Sequence, residues 1–276
     1  MGRTAHSRGA GDPYFPDLKG LLIVNPRSGH GGPDAGELAA AARRLGIETH
    51  VLSQGDDAAE IARRSSADAV GIAGGDGSLA PVAEAALERG AAFVCVPHGT
   101  RNHFARDLGL DRDDPLGALR AFAGTERRID VGRADDRLFL NNVSLGVYAR
   151  LVHRRETHRR RREALARFRA WATLLTHREP LGITVDGEPV ETRILLVANN
   201  AYALDLPSLG ERERLDEGKL HAYTPGDERV GERFVVDAAS GRLEAAVDGE
   251  PDVLRTPITF TIEPRALRVL VPGDGD

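Results

Sequence analysis

An α/β domain followed by an antiparallel β domain is the fold class that this 276-residue sequence predicts. Up to about Arg133, apolar runs of strand length alternate with helix candidates of ten or so residues, the pattern of a sheet covered on both faces. Glycine-bearing polar loops follow three of those runs, where ligands of such sheets bind. After Arg133 short strand candidates split by turn signals take over, the texture of an antiparallel β domain.

Residues 1–17 (MGRTAHSRGAGDPYFPD) carry Arg3 and Arg8 but no apolar stretch, and read as a disordered polar leader, not a signal peptide. Leu21 to Asn25 (LLIVN) is a continuous apolar run halted at Pro26, as expected of a buried parallel strand opening into a loop. An alanine-rich helix follows over Asp34 to Leu45. The cycle recurs with IETHVLS as a strand, a helix around Asp57 to Arg64, a strand in DAVGIAGGDGS, a helix from Pro81 to Arg89, and AAFVCVP as a strand. In the second half RLFLNNVSLGV, LGITVDGEPV, RILLVANN, GKLHAYTP, RFVVDAA, RLEAAVDGEP and ITFTIEP are the strand candidates, interrupted by one long helix over Tyr148 to His177. The final run ALRVLVP suits either domain, so the expected division is 18–133 and 134–276 with the last strand free to return. The turn VDGEP occurs twice, at Val185 and at Val247.

With 37 Lys+Arg against 42 Asp+Glu, the net charge of -5 excludes a generalised electrostatic grip on nucleic acid. Only Lys19 and Lys219 are lysines, and neither sits in the GK[ST] of a Walker loop or in a protein-kinase strand pattern. Cys95 is the one cysteine, which removes internal disulfides and cysteine zinc clusters; lying in AFVCVP, it reads as a packed core thiol. No apolar stretch approaches the roughly 18–20 residues of a membrane-spanning helix. The expected location is cytoplasmic, with peripheral attachment at the inner face of the membrane compatible with the composition.

The three loops are NPRSGHGG, GGDGS (Gly74 to Ser78) and PHGTRN (Pro97 to Asn102). Glycines let backbone N–H groups converge on an anion, and the helix N-termini behind them add a favourable dipole, so three such loops in register read as a phosphate cradle. Ser78 and Thr100 add hydroxyl donors.

These loops, together with PHGTRNHFARDLGL, the LDEGKL segment and the late DGEP, resemble the bacterial diacylglycerol kinase and lipid kinase family, which is also similar to sphingosine and ceramide kinases. The resemblance runs from Leu18 to Pro272; GGDG[ST] is shared with NAD kinases and phosphofructokinases, whereas GTxN-x-FAR-x-LG is specific to the lipid branch. It implies a Rossmann-like nucleotide-binding domain, a C-terminal antiparallel β-sandwich, and ATP, Mg²⁺ and a lipid substrate meeting between them. It implies nucleotide contacts at Gly74, Gly75, Asp76, Gly77, Ser78, Leu79, Ala80 and Thr100, with Asn25 and Asn102 in the flanking loops and a further contact at Leu52 or Ser53. The proton acceptor it implies is Glu250 of the late DGE, while Asp76 has either an electrostatic role or that of the acceptor. A carboxylate within reach of the attacking hydroxyl supplies roughly 10²–10⁴-fold. Asp186-Gly187-Glu188 repeats the same letters in a plausible hairpin, so position in the chain decides for Glu250. The magnesium loop it implies maps onto Glu217, with the carbonyls of Arg214 and Lys219.

Three residues depart from the family pattern, the mildest being Ser78 for the commoner threonine, since the hydroxyl survives. Glu217 stands where aspartate is usual and is one methylene longer, with Asp216 an alternative carboxylate; His103 replaces an aspartate, exchanging an acceptor-only group for one that can donate. The block Arg150 to Arg162, followed by Leu165, Phe168, Trp171 or Ala172, and Leu175 at helical spacing, suits either an anionic bilayer or packing on the protein body. The leading expectation is an ATP- and magnesium-dependent kinase that phosphorylates a lipid hydroxyl, diacylglycerol by default. The rivals are a nucleotide-binding regulatory protein with lapsed catalysis and an NAD kinase-like enzyme. Expected partners are the lipid and an anionic membrane surface, with a homodimer left open and nucleic acid excluded.

Overall fold

The computed structural model describes residues 18–29, 32–100, 102–146, 180–203 and 211–273. The expected leader and the expected helix over 148–177, with its arginine block and apolar stripe, lie outside them. The chain opens with β1 (Gly20–Val24), α1 (Ala35–Arg44), β2 (Glu48–Val51), α2 (Ala58–Arg64), β3 (Ala69–Gly74), α3 (Asp76–Arg89), β4 (Ala92–Pro97), α4 (His103–Asp107) and α5 (Pro115–Ala118). The two central apolar runs bury both faces. Leu21 and Ile23 of β1, with Val70 and Ile72 of β3, point into a cluster beneath α2 and α3. Leu22 and Val24 point into an opposite cluster with Leu38 and Ala42 of α1. Full burial of each such side chain contributes roughly 1.5–3 kcal/mol. That is why these strands read as continuous apolar runs instead of alternating ones.

Twelve strands follow: β5 (Thr125–Ala134), β6 (Arg137–Phe139), β7 (Asn142–Gly146), β8 (Ile183–Val185), β9 (Glu188–Val190), β10 (Ile194–Asn199), β11 (Leu220–Thr224), β12 (Asp227–Gly231), β13 (Arg233–Ala238), β14 (Arg242–Val247), β15 (Glu250–Arg255) and β16 (Ile258–Val271). They sort into two sheets. One runs β2-β1-β3-β4-β16-β13-β8-β9, with β5 on β16 and β6 on β5; the other runs β12-β11-β10-β7-β14-β15. The second is antiparallel throughout. Leu195 and Val197 of β10 and Ala245 and Val247 of β14 meet Phe139, Val236 and Phe260 of the first sheet in one shared core.

ITFTIEP and ALRVLVP, expected as separate strands, are a single strand, β16, kinked between Glu263 and Leu267 with Arg265 at φ 51. Its far end lies parallel to β4, pairing Val269 with Phe93, so the expected boundary at 133/134 falls in β5, within the continuous first sheet. The expected helix start at Pro81 is corrected too. Helix α3 begins five residues earlier, at Asp76, and carries Pro81 inside it. Proline lacks an N–H, so Gly77 keeps a carbonyl without the usual i+4 donor.

Candidate functional site

The site forms where the loops after β1, β3 and β4 meet. Gly99 of the third loop lies so close to Gly75 of the second that a Cβ on it would strike the Gly75 Cα; its backbone is fixed by Asn102, whose amide accepts from Gly99 N–H (2.9 Å) and donates to Gly99 C=O (3.0 Å). Asn102 takes φ 49 to do so, in the left-handed region that asparagine tolerates. A Cβ on Gly29 of the first loop would meet the buried His98 ring at 2.6 Å. Residue types without side chains at these contacts let three loops share one small volume.

Helix N-termini differ in what satisfies them. Helix α1 is closed by a capping box, Asp34 accepting from Glu37 N–H (2.8 Å) and Glu37 from Asp34 N–H (3.0 Å). Helix α2 is closed by Asp57. Helix α3 starts behind Gly75 with no side-chain cap. Its first amides are therefore available to an anion, and the α3 dipole favours one there. A cavity of about 310 Å³ at the start of α1 includes Ser28, Asp34, Glu37 and His98 in its lining; the two carboxylates make it a poorer seat for phosphate than the GGDGS loop.

Around that loop, Ser78 Oγ donates to Gly75 C=O (2.8 Å) and Leu79 is buried in the core, so Leu79 reaches a ligand through its backbone alone. Ala80 is half-buried, and Thr100 is exposed next to Gly99. Asn25 Oδ1 accepts from Arg27 N–H (3.0 Å). Exposed Ser53 lies just beyond β2, two strands from the loop in the sheet order, its N–H donating to Asp56 (2.8 Å).

The two candidate proton acceptors differ in their surroundings. Asp76 Oδ2 accepts from His103 N–H and Oδ1 from Phe104 N–H, both at 3.2 Å, so this carboxylate caps α4. Exposed Glu250 opens β15 beside the glycine loop: a Cβ on Gly77 would meet the Glu250 Cδ and Cγ at 2.7 Å. Two residues earlier, buried Asp248 sits at φ 49 in the hairpin turn and accepts from the N–H groups of Leu140 (2.8 Å), Asn141 (2.7 Å) and Asn142 (3.1 Å). Burial pushes its carboxyl up to about 6, against the three amides and Arg212, which pull it down.

The segment expected to hold a second cation is otherwise engaged. Glu217 Oε2 accepts from Ala201 N–H (3.1 Å) and faces His221 Nε2 (3.2 Å), while the Lys219 carbonyl accepts from Asn200 N–H (3.0 Å). The His221 ring is buried between Glu217 and Glu228, 2.7 Å from the latter. Asp216, the alternative carboxylate, pairs with Arg214 and Arg265. Among the described residues no cluster of three or more His, Cys, Asp or Glu is set to hold a metal. Two of the three expected ligand groups, Glu217 Oε2 and the Lys219 carbonyl, already accept from protein N–H groups.

Sequence reasoning missed Arg212, Asp107 and Asp130. Asp130 is buried and accepts from Gly218 N–H (2.6 Å) and Arg265 N–H (2.7 Å), joining β5 to the LDEGKL segment and to the kink of β16. Arg212 and Asp107 form an ion pair with side-chain exposures of 0% and 2%. Asp107 lay within the FARDLGL run, but its partner is 105 residues away and no local pattern announces it. Among the described residues no helix is long and apolar enough to cross a membrane.

Comparison with known proteins identifies relatives of this chain. A model of the diacylglycerol kinase catalytic domain matches residues 19–134. The chain is 30% identical over 293 residues to a Pseudomonas aeruginosa protein named probable lipid kinase YegS-like, covering 92% of this chain and 95% of that one. Identity to a diacylglycerol kinase of Bacillus subtilis is also 30%, over 142 residues that span 48% of this chain and 47% of the relative. The solved structure of a diacylglycerol kinase from Bacillus anthracis str. Sterne superposes with a TM-score of 0.70 at 19% identity, covering 92% of this chain and 97% of that one, and so shares its fold. The chain belongs to the bacterial diacylglycerol and lipid kinase family. It is an enzyme of the kinase class, built from an α/β part and a β-sheet-rich C-terminal part.

Proposed function

We propose that this enzyme transfers the γ-phosphate of ATP to a lipid hydroxyl, with diacylglycerol as acceptor and phosphatidic acid as product. The observation that carries the reading is the Glu250 carboxylate packed on Gly77, at the uncapped N-terminus of α3. Backbone amides of Gly75, Asp76 and Gly77 bind phosphate oxygens there. The acceptor oxygen bonds to the γ-phosphorus as the bond to the β,γ-bridging oxygen breaks, and the hydroxyl proton passes to Glu250 while ADP leaves. Mg²⁺ bound with the nucleotide would supply positive charge against the β- and γ-phosphates. Asp76, with both oxygens on α4 amides, holds that helix against the loop and leaves proton transfer to Glu250. We read the parallel strands as a Rossmann-like nucleotide half and the two facing sheets as a sandwich; relatives named lipid and diacylglycerol kinases support the acceptor class.

The test is phosphate transfer from ATP, with Mg²⁺, to diacylglycerol, monoacylglycerol and sphingosine in mixed micelles, using the full chain and Glu250→Gln. Lipid phosphate from the natural protein, reduced by about 10²–10⁴-fold in the variant at unchanged nucleotide affinity, is the expected result. Undiminished turnover in the variant would remove Glu250 from the role. Tight ATP binding with no phosphorylated product from any acceptor would favour the regulatory reading.

A further inference from the structure

We propose that Arg212 is a positioning residue for this transfer, fixing the distance between Glu250 and the GGDGS loop. The proposal rests on Glu250 being the base. Arg212 is buried and uses its guanidinium on four acceptors from three parts of the chain: Nε on Asp107 (2.7 Å), Nη1 on the carbonyls of Leu140 (2.7 Å) and Asn199 (3.0 Å), and Nη2 on Asn141 Oδ1 (2.7 Å). Asp107 is the last residue of α4, the short helix whose first amides end on Asp76. On the other side, the amides of the same Leu140 and Asn141 end on Asp248, two residues before Glu250.

The contacts close a circuit. From Gly77 it runs through Asp76, α4, Asp107, Arg212, the Leu140–Asn141 segment and Asp248 to Glu250, which lies back against Gly77. Every link except the Asp76–Gly77 peptide, the short hairpin turn and α4 itself is a hydrogen bond or a direct contact. Arg212 is where the circuit passes from α4 to the second sheet. A guanidinium suits that place because its planar fork serves several acceptors at fixed angles; a lysine ammonium in the same space is a single point charge without the fork. Misplacing a reacting group by about 1 Å costs on the order of 10²-fold in rate, so a brace of this kind acts on turnover even though it touches no substrate.

A brace serving stability alone and one that aims the base are separated by a double-mutant cycle. In Arg212→Lys, kcat is expected to fall roughly 10–100-fold while the ATP dissociation constant stays within about twofold. In a Glu250→Gln background, followed by single-turnover measurement over hours, the same substitution is expected to lower the residual rate by less than about twofold, because the group it aims is gone. Equal fold losses in the two backgrounds, or a natural kcat in Arg212→Lys, would overturn the positioning role. Should Arg212→Lys fail to bind nucleotide or to fold, the pair Asp107→Asn with Arg212→Met, which leaves neither buried charge unpaired, is read by the same two criteria. A natural rate in Glu250→Gln alone removes the base, and this proposal with it; a slow Glu250→Gln with multiplicative losses removes the positioning role alone.

Discussion

The sequence VDGEP occurs twice in this chain, and the two copies fold alike but meet different neighbours. In each, aspartate and glycine take left-handed φ values, 52 and 83 for Asp186 and Gly187, 49 and 88 for Asp248 and Gly249, as a two-residue hairpin turn requires. In each, the aspartate N–H donates to a neighbouring strand, Asp186 to Val235 (2.8 Å) and Asp248 to Asn142 (2.9 Å). The first hairpin joins β8 to β9 at the edge of the first sheet, and its Glu188, 72% exposed at the side chain, pairs with Arg229. The second joins β14 to β15, buries its aspartate on three amides and delivers its glutamate to Gly77. Five shared letters specify a turn; the strands behind the turn specify what its glutamate can reach.

The largest break in that comparison comes from the glutamates themselves. Glu250→Gln is expected to lower lipid phosphorylation by about 10²–10⁴-fold, whereas Glu188→Gln leaves turnover unchanged, both read by product formation at saturating ATP. Next come the glycines. Gly77→Ala places a methyl group where the Glu250 carboxyl now lies, so turnover should drop by on the order of 10²-fold with the fold intact. Gly187→Ala forces alanine to positive φ at a site remote from the loops, and should cost about 1 kcal/mol of stability with turnover retained; thermal unfolding alongside the kinase assay checks both.

The aspartates sharpen the contrast at the level of stability. Asparagine keeps one acceptor oxygen but turns an NH₂ toward the amides, so Asp248→Asn is expected to cost roughly 2–3 kcal/mol. Asp186 Oδ1 accepts from Val235 N–H (2.8 Å), which asparagine reproduces at a φ it tolerates, and Asp186→Asn should stay within about 0.5 kcal/mol in denaturant unfolding.

How far the sequence anticipates these differences follows from the range of the forces involved. The strands β1, β3 and β4 and the helices α1 and α2 are written in local patterns: apolar runs buried on two faces, Asp34 with Glu37 as a cap, Asp57 as another. The start of α3 was misread because Pro81 looks like a first-turn proline, while the true first turn lies in glycines that carry no helix signal. In the site, GGDGS and DGE are visible as motifs, but Asp76 as the cap of α4 depends on the third loop folding over the second. The Arg212 bonds to Asp107, Leu140 and Asn141 and the Asp248 amides join residues more than 70 positions apart, beyond any periodicity. The metal loop is a different case. His221, four residues on, lies 3.2 Å from Glu217 Oε2, a contact that a motif of three or four letters does not include.

The smallest effect concerns protons and again separates the two turns. Burial raises Asp248 to about 6 from an ordinary 3.8, so between those values the folded protein binds a proton that the unfolded chain has released. Stability from this group is therefore present at low pH and lost as pH rises through about 6, the reverse of a salt-bridged carboxylate. Going from pH 7 to pH 5 should stabilise the fold by about 1 kcal/mol through Asp248. Asp56, Glu126, Asp216 and Glu232 are all shifted below their ordinary carboxyl values and titrate beneath that window, so they do not mask it. Unfolding free energies at the two pH values, compared between the natural protein and Asp248→Asn, should show the gain in the first and its loss in the second, while Asp186→Asn keeps it. A gain that persists in Asp248→Asn would assign the proton elsewhere.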